Sequence, residues 1–243
     1  MLTLENIRWS APDGKPVLTG IHYTFEDGKL IAVTGPNGSG KTTLARIIAG
    51  LEKPLSGRIL LNGEDITELN VTERARKGIS YAFQQPVRFK GLTVRQLIET
   101  AAGGKIDECG LCDVLSKVGL CAHEYCNREA DATLSGGEMK RIEIATVLAR
   151  HTNLTVFDEP EAGIDLWSFS SLIQTLQDIR RELKGTMIII SHQERILRAA
   201  DEILLVDGGS VAESGPAEHM LNNVLRADSA VRACHKQEAV FHE

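Results

Sequence analysis

Eight residues near the N-terminus, Gly35-Pro36-Asn37-Gly38-Ser39-Gly40-Lys41-Thr42, fit the spacing G-x-x-x-x-G-K-[ST]. Glycines are needed where backbone N–H groups must wrap phosphate oxygens at distances that a Cβ would obstruct. Lys41 would reach the β- and γ-phosphates of a nucleotide. The Thr42 hydroxyl would coordinate Mg²⁺, and Thr43 opens a helix whose N-terminus adds partial positive charge. In a chain this long, the four fixed positions coincide by accident on the order of 1% of the time. The expected ligands are therefore a nucleotide's phosphates and Mg²⁺.

A second group stands at the end of an apolar run, Leu154-Thr155-Val156-Phe157-Asp158-Glu159-Pro160. Two carboxylates at the carboxyl end of a strand sit where α/β folds bind ligands. Asp158 would hold Mg²⁺ and Glu159 would polarise the attacking water as general base. Alone, Asp-Glu-Pro also reads as a plain strand end; the loop at Gly35 changes its meaning. Ile188-Ile189-Ile190-Ser191-His192 repeats the pattern, with His192 placed to donate to a γ-phosphate. Gln84 follows the short apolar run from Ile79 and would sense metal and water, with adjacent Gln85 as the one-residue alternative. The last group, Leu134-Ser135-Gly136-Gly137-Glu138, leads into an apolar helix. Ser135 and Glu138 have capping-box spacing, and a helix N-terminus bearing two glycines is also an anion site.

The elements that must carry these residues follow from periodicity. Strands are expected near Leu4–Trp9, Ile21–Phe25, Leu30–Val33, Gly57–Asn62, Ile79–Phe83, Leu154–Phe157, Met187–Ile190, Ile203–Val206 and Val211–Glu213. Leu44, Ile47, Ile48 and Leu51 recur at helical spacing, with Gly50 near the helix end. From Thr93 to Arg150 the periodicity is helical throughout, with no strand. Leu166, Phe169, Leu172, Ile173, Leu176, Ile179 and Leu183 form an apolar stripe between two strands, which implies a parallel pairing, and a short helical tail ends the chain. The fold class is α/β: a P-loop core with an antiparallel β subdomain over 1–86 and 151–243, and an inserted helical subdomain over 87–150.

The chain has 243 residues, 42% hydrophobic content and a formal net charge of −6. That composition supports one core and lacks the basic patch of a nucleic-acid binder, so nucleic acid is not an expected partner. No apolar run reaches the roughly 20 residues of a membrane-spanning helix, and no export signal opens the sequence; a cytoplasmic chain with no direct membrane insertion is expected. Of the five cysteines, Cys109, Cys112, Cys121 and Cys126 lie close together, with His123 among them. Their spacing matches no standard zinc knuckle, so they are read as reduced thiols and no metal is assigned.

The motifs in order, the loop at Gly35, Gln84, Leu134-Ser135-Gly136-Gly137-Glu138, Asp158-Glu159 and His192, resemble the ABC ATPase family over nearly the whole chain. The resemblance implies a homodimer that sandwiches two ATP molecules. Ser135, Gly136 and Gly137 of one subunit would close on the nucleotide held by the loop of the other, and Asp165 would couple the two sites. The family's aromatic adenine-stacking residue has no match near Pro12, and Trp9 is the nearest candidate. Phe83–Val94, Asp158–Asp165 and Ser191–Leu197 are similar to the SufC-type ATPases of iron-sulfur cluster assembly, with Glu161 where most transporter ATPases have Thr. That closer resemblance implies a soluble SufB/SufD-like scaffold as partner, docked beside Gln84 to Leu92 and the helical subdomain. The alternative is an ATP-binding subunit of a membrane transporter with separate transmembrane partners.

Overall fold

The computed structural model describes residues 1–162, 173–178 and 185–221. The chain opens with β1 (Leu2–Ser10) and β2 (Pro16–Phe25), whose inward residues Leu2, Leu4, Ile7, Leu18, Ile21 and Phe25 are buried. With β4 (Ser56–Leu61) and β5 (Glu64–Asp65) they form an antiparallel sheet in the order β2-β1-β4-β5. Alternation of apolar and polar residues fits a sheet with one face on the core.

The second sheet has the order β12-β11-β3-β10-β9-β6. β3 (Leu30–Thr34), β6 (Ile79–Ala82), β9 (Leu154–Asp158), β10 (Thr186–Ile190) and β11 (Glu202–Asp207) are parallel, and β12 (Ser210–Pro216) closes the edge antiparallel to β11. Every residue of β3, β9 and β10 is buried, which is why these strands read as mainly apolar runs without alternation. Successive side chains go to opposite faces. Ile31, Val33, Val156, Ile188 and Ile190 pack with α1 (Lys41–Ala49) and the antiparallel sheet, whereas Phe157, Met187 and Ile189 pack with the helical region.

That region contains α3 (Val94–Ala102), α4 (Glu108–Lys117), α5 (Ala122–Tyr125) and α6 (Gly136–Ala149). α2 (Val71–Arg76) precedes β6, and α7 (Glu194–Ala199) follows β10. Residues 173–178 and 217–221 are also helical.

Two expectations need correction. The span from Thr93 to Arg150 does contain a strand: β8 (Glu129–Ala130) pairs with β7 (Phe89–Thr93), tying the base of α3 to the segment before α6. Leu51 is not part of the α1 stripe, because Gly50 ends the helix in the left-handed region at φ 80° and leaves Leu51 exposed. Cys126 alone of the clustered cysteines is buried; Cys109, Cys112 and Cys121 are exposed. Of the apolar stripe from Leu166 to Leu183, only Ile173 and Leu176 fall among the described residues, and Leu176 is buried.

Candidate active site

The parallel strands end along one line. In register, Ile190 stands opposite Val33 and Asp158, and Phe157 opposite Ala82. The residues that follow, Gly35, Glu159, His192 and Gln84, are therefore delivered to the same sheet edge.

Between β3 and α1 the loop is shaped by contacts that only glycine permits. Gly35 has φ 141°, and a Cβ there would lie 1.9 Å from the Val206 carbonyl oxygen. Gly40 caps α1 at φ 101° without a side-chain cap, so the first N–H groups of α1 have no side chain accepting from the cap. The Lys41 ammonium donates to the Gly35 and Pro36 carbonyls, each at 2.8 Å, and so spans the mouth of the loop. Burial lowers the Lys41 pKa, while the charges of Glu159 and Asp158 oppose that shift. Pro36, Asn37 and Gly38 form the exposed tip. Ser39 Oγ is buried with no hydrogen-bond partner in the protein. An orphaned buried hydroxyl is costly unless a ligand completes it, and a phosphate oxygen in the loop would do so.

Asp158 is 1% exposed at the end of β9. Thr42 Oγ1 donates to its Oδ1 at 3.1 Å and Tyr81 Oη to its Oδ2 at 2.8 Å. Burial raises the Asp158 pKa; the Tyr81 and Thr42 hydrogen bonds pull it down, and the Glu159 charge pushes it up. Thr42 and Asp158 are thus joined where a divalent cation bridging to phosphate would sit, an oxygen-only donor set suited to Mg²⁺. Thr43, half-buried, lies beside them in the first turn of α1.

Glu159 has φ 44°, an unusual backbone for a residue with a side chain. Such a conformation costs about 1–3 kcal/mol and persists only when its surroundings enforce it. Here the Glu159 N–H donates to the Ile190 carbonyl at 3.0 Å and the Ala162 N–H donates to the Glu159 carbonyl at 2.9 Å. The side chain is half-buried, and Gln84 Nε2 donates to its Oε2 at 2.6 Å. Of the two glutamines left open by the sequence, Gln84 makes this contact. Next along the edge, the Ser191 N–H donates to the Val33 carbonyl at 3.2 Å. Ser191 Oγ donates to Glu161 and accepts from the Gln193 N–H at 3.0 Å, which fixes the backbone on both sides of the exposed His192.

On the other side of the sheet, Ser135 caps α6. Its Oγ accepts from the Glu138 N–H at 3.2 Å, and Glu138 Oε2 accepts from the Ser135 N–H at 2.7 Å. Tyr125 and Ser135 together hold the Glu138 carboxyl at about 2, with the Tyr125 hydrogen bond the largest cause. A Cβ on Gly136 or Gly137 would meet nothing within 4 Å. Each glycine weakens a helix by about 1 kcal/mol relative to alanine. The fold of this chain gives no steric reason for either, so the bare surface fits close approach by something outside it. α6 packs on α3, α4 and β6, whereas α1 packs on α2, β2, β6, β9 and β10.

Asp165 lies outside the described residues. Trp9 is half-buried against the core beside its cross-strand partner Leu18, which itself borders Gly40. Among the described residues, no three His, Cys, Asp or Glu side chains are grouped to hold a metal ion. Sequence reasoning missed Tyr81, whose signal was only an aromatic on a short strand. It also missed Lys140 and Glu143, charges lodged in an apolar helix.

The sequence profile of the ABC transporter family matches residues 18–162, more than half of the chain. The chain is 38% identical over 209 residues to an uncharacterized ABC transporter ATP-binding protein of Methanocaldococcus jannaschii, covering 83% of each. It is 31% identical over 233 residues to the energy-coupling factor transporter ATP-binding protein EcfA of Methanosarcina acetivorans, covering 92% of this chain and 82% of that one. Among solved structures, the dimeric structure of a bacterial ABC transporter cassette superposes with a TM-score of 0.81 at 23% identity, covering 89% of this chain and 99% of that chain. With the phosphate loop, the paired carboxylates and the capped Ser-Gly-Gly helix in one fold, the chain belongs to the ABC transporter family and is one of its ATPase domains.

Proposed function

We propose that this chain is the ATP-hydrolysing subunit of a membrane transporter whose spanning subunits are separate chains, and that it works as a homodimer with two composite ATP sites. One observation carries the reading. Among the described residues, eight large apolar side chains are exposed, and four of them, Phe83, Val87, Phe89 and Leu92, fall in the segment around Gln84. Apolar side chains concentrated in one segment mark a protein contact. Here they adjoin the glutamine that touches Glu159, so a partner seated there would act on the hydrolytic residues. The transporter names of the relatives point the same way. No described helix is long and apolar enough to cross a membrane.

In the site, the loop N–H groups and Lys41 would bind the phosphates, and Thr42, Asp158 and Gln84 would hold Mg²⁺. Bound Mg²⁺ neutralises charge on the transferring phosphoryl group. Glu159 Oε2, oriented by Gln84, accepts the proton of the attacking water, and His192 donates a hydrogen bond toward the γ-phosphate. Ser135, Gly136 and Gly137 of the second subunit complete the phosphate shell, with Asp165 coupling the two sites.

The second reading, a SufC-type ATPase acting on a soluble SufB/SufD-like scaffold, draws on Glu161, whose carboxylate is built into the His192 turn through Ser191. Affinity purification under anaerobic conditions, first without and then with detergent, separates the two. An integral membrane protein recovered only with detergent is the expected result; a soluble β-helical partner recovered without it would replace the transporter reading with the scaffold one.

A further inference from the structure

Helix α6 buries an ion pair. Lys140 is 1% exposed and lies 2.9 Å from Glu143, one turn on along α6, whose side chain is 12% exposed. Charges removed from water are tolerated only when well partnered, and an apolar pair of similar shape is often no less stable. The pair is aimed at one backbone unit. Glu143 Oε1 accepts from the Phe83 N–H at 2.7 Å, and the Lys140 ammonium donates to the Phe83 carbonyl. Phe83 lies just past the end of β6, where its N–H and carbonyl must find partners. The next residue is Gln84, whose side chain donates to Glu159 at 2.6 Å.

We infer that Lys140 and Glu143 are positioning residues for hydrolysis: as a clamp on the Phe83 backbone, they hold Gln84 against Glu159 and make its placement follow the tilt of α6. α6 begins at Ser135-Gly136-Gly137, so whatever engages that terminus is connected through one rigid helix to the hydrolytic carboxylate of the same chain. Neither side chain touches Glu159 in this arrangement; their action runs through the Phe83 peptide.

The inference rests on Gln84 and Glu159 serving hydrolysis. The test uses the full chain carrying Lys140→Met and Glu143→Leu together, which removes both members of the ion pair, beside Glu143→Gln, which keeps an oxygen for the Phe83 N–H. For the double variant, KM for MgATP should stay within about two-fold while kcat falls at least about ten-fold; Glu143→Gln should keep kcat within about three-fold. Adding Gln84→Ala to the double variant should cause no further loss, because the same function has already been removed. A folded double variant with wild-type kcat, or losses that multiply when Gln84→Ala is added, would overturn the clamp. If Gln84→Ala alone leaves kcat unchanged, the assignment of Gln84 fails instead. Should the double variant not fold, amide exchange in the wild-type chain decides. Phe83 should exchange at least about ten-fold more slowly than Gln85, and equal rates would refute the clamp.

Discussion

Asp158 shows how a residue suited to binding a cation costs the empty protein. It is an acid whose folded pKa is raised by burial, so the folded chain holds its proton to higher pH than the unfolded chain does. Its contribution to stability is therefore lost as pH rises from the ordinary value of 3.8 through the elevated one. Without nucleotide and Mg²⁺, Asp158→Asn should unfold at no lower temperature than wild type at pH 7, and its advantage should shrink as pH falls toward 4. With MgATP the order should reverse, since ligand stabilises only the chain that binds it well. Thermal scans from pH 4 to 8, with and without MgATP, give the comparison; a wild type more stable at pH 7 without ligand would contradict it. Glu159 makes a related point through its backbone, whose φ of 44° is enforced by hydrogen bonds to Ile190 and Ala162.

Helix α6 carries one cost with no return inside its own fold, the glycines at its start; the buried Lys140–Glu143 pair is repaid only through its hold on the Phe83 backbone. Gly136→Ala and Gly137→Ala should each stabilise the chain by up to about 1 kcal/mol. Both should nevertheless lower kcat, because a methyl group would stand where the opposing nucleotide approaches. Denaturant unfolding and steady-state turnover on the same preparations check both halves; a gain in stability with turnover intact would assign the glycines no role in closure. The contrast between what was legible and what was not is physical. β3, β9 and β10 were readable because strands buried on both faces leave mainly apolar runs, and the loop because four positions suffice to mark it. α2 escaped because Arg74 is its one buried residue; its available signal was the Asn70–Glu73 capping box. β7 and β8 escaped because β7 is almost wholly exposed and pairs with a two-residue strand about forty positions away. The role of Lys140 was hidden because its partner is the backbone of Phe83, 57 residues distant in sequence, and backbone partners leave no mark in side-chain pattern.

At the scale of the whole molecule, the loop with α1 and the helix α6 that Ser135 caps pack against opposite faces of one sheet. The composite site proposed between two copies would bring the loop of one to the Ser135 terminus of the other and would tie hydrolysis to association. Glu159→Gln keeps the loop and removes the base, so it should bind MgATP yet turn over about 10²–10⁴-fold more slowly. Mass by light scattering on this variant, with and without MgATP, is the most direct measurement. The account expects a monomer of 26.5 kDa without nucleotide and a dimer of twice that mass with it; a variant that binds MgATP and stays monomeric, or one that hydrolyses at the wild-type rate, would contradict it.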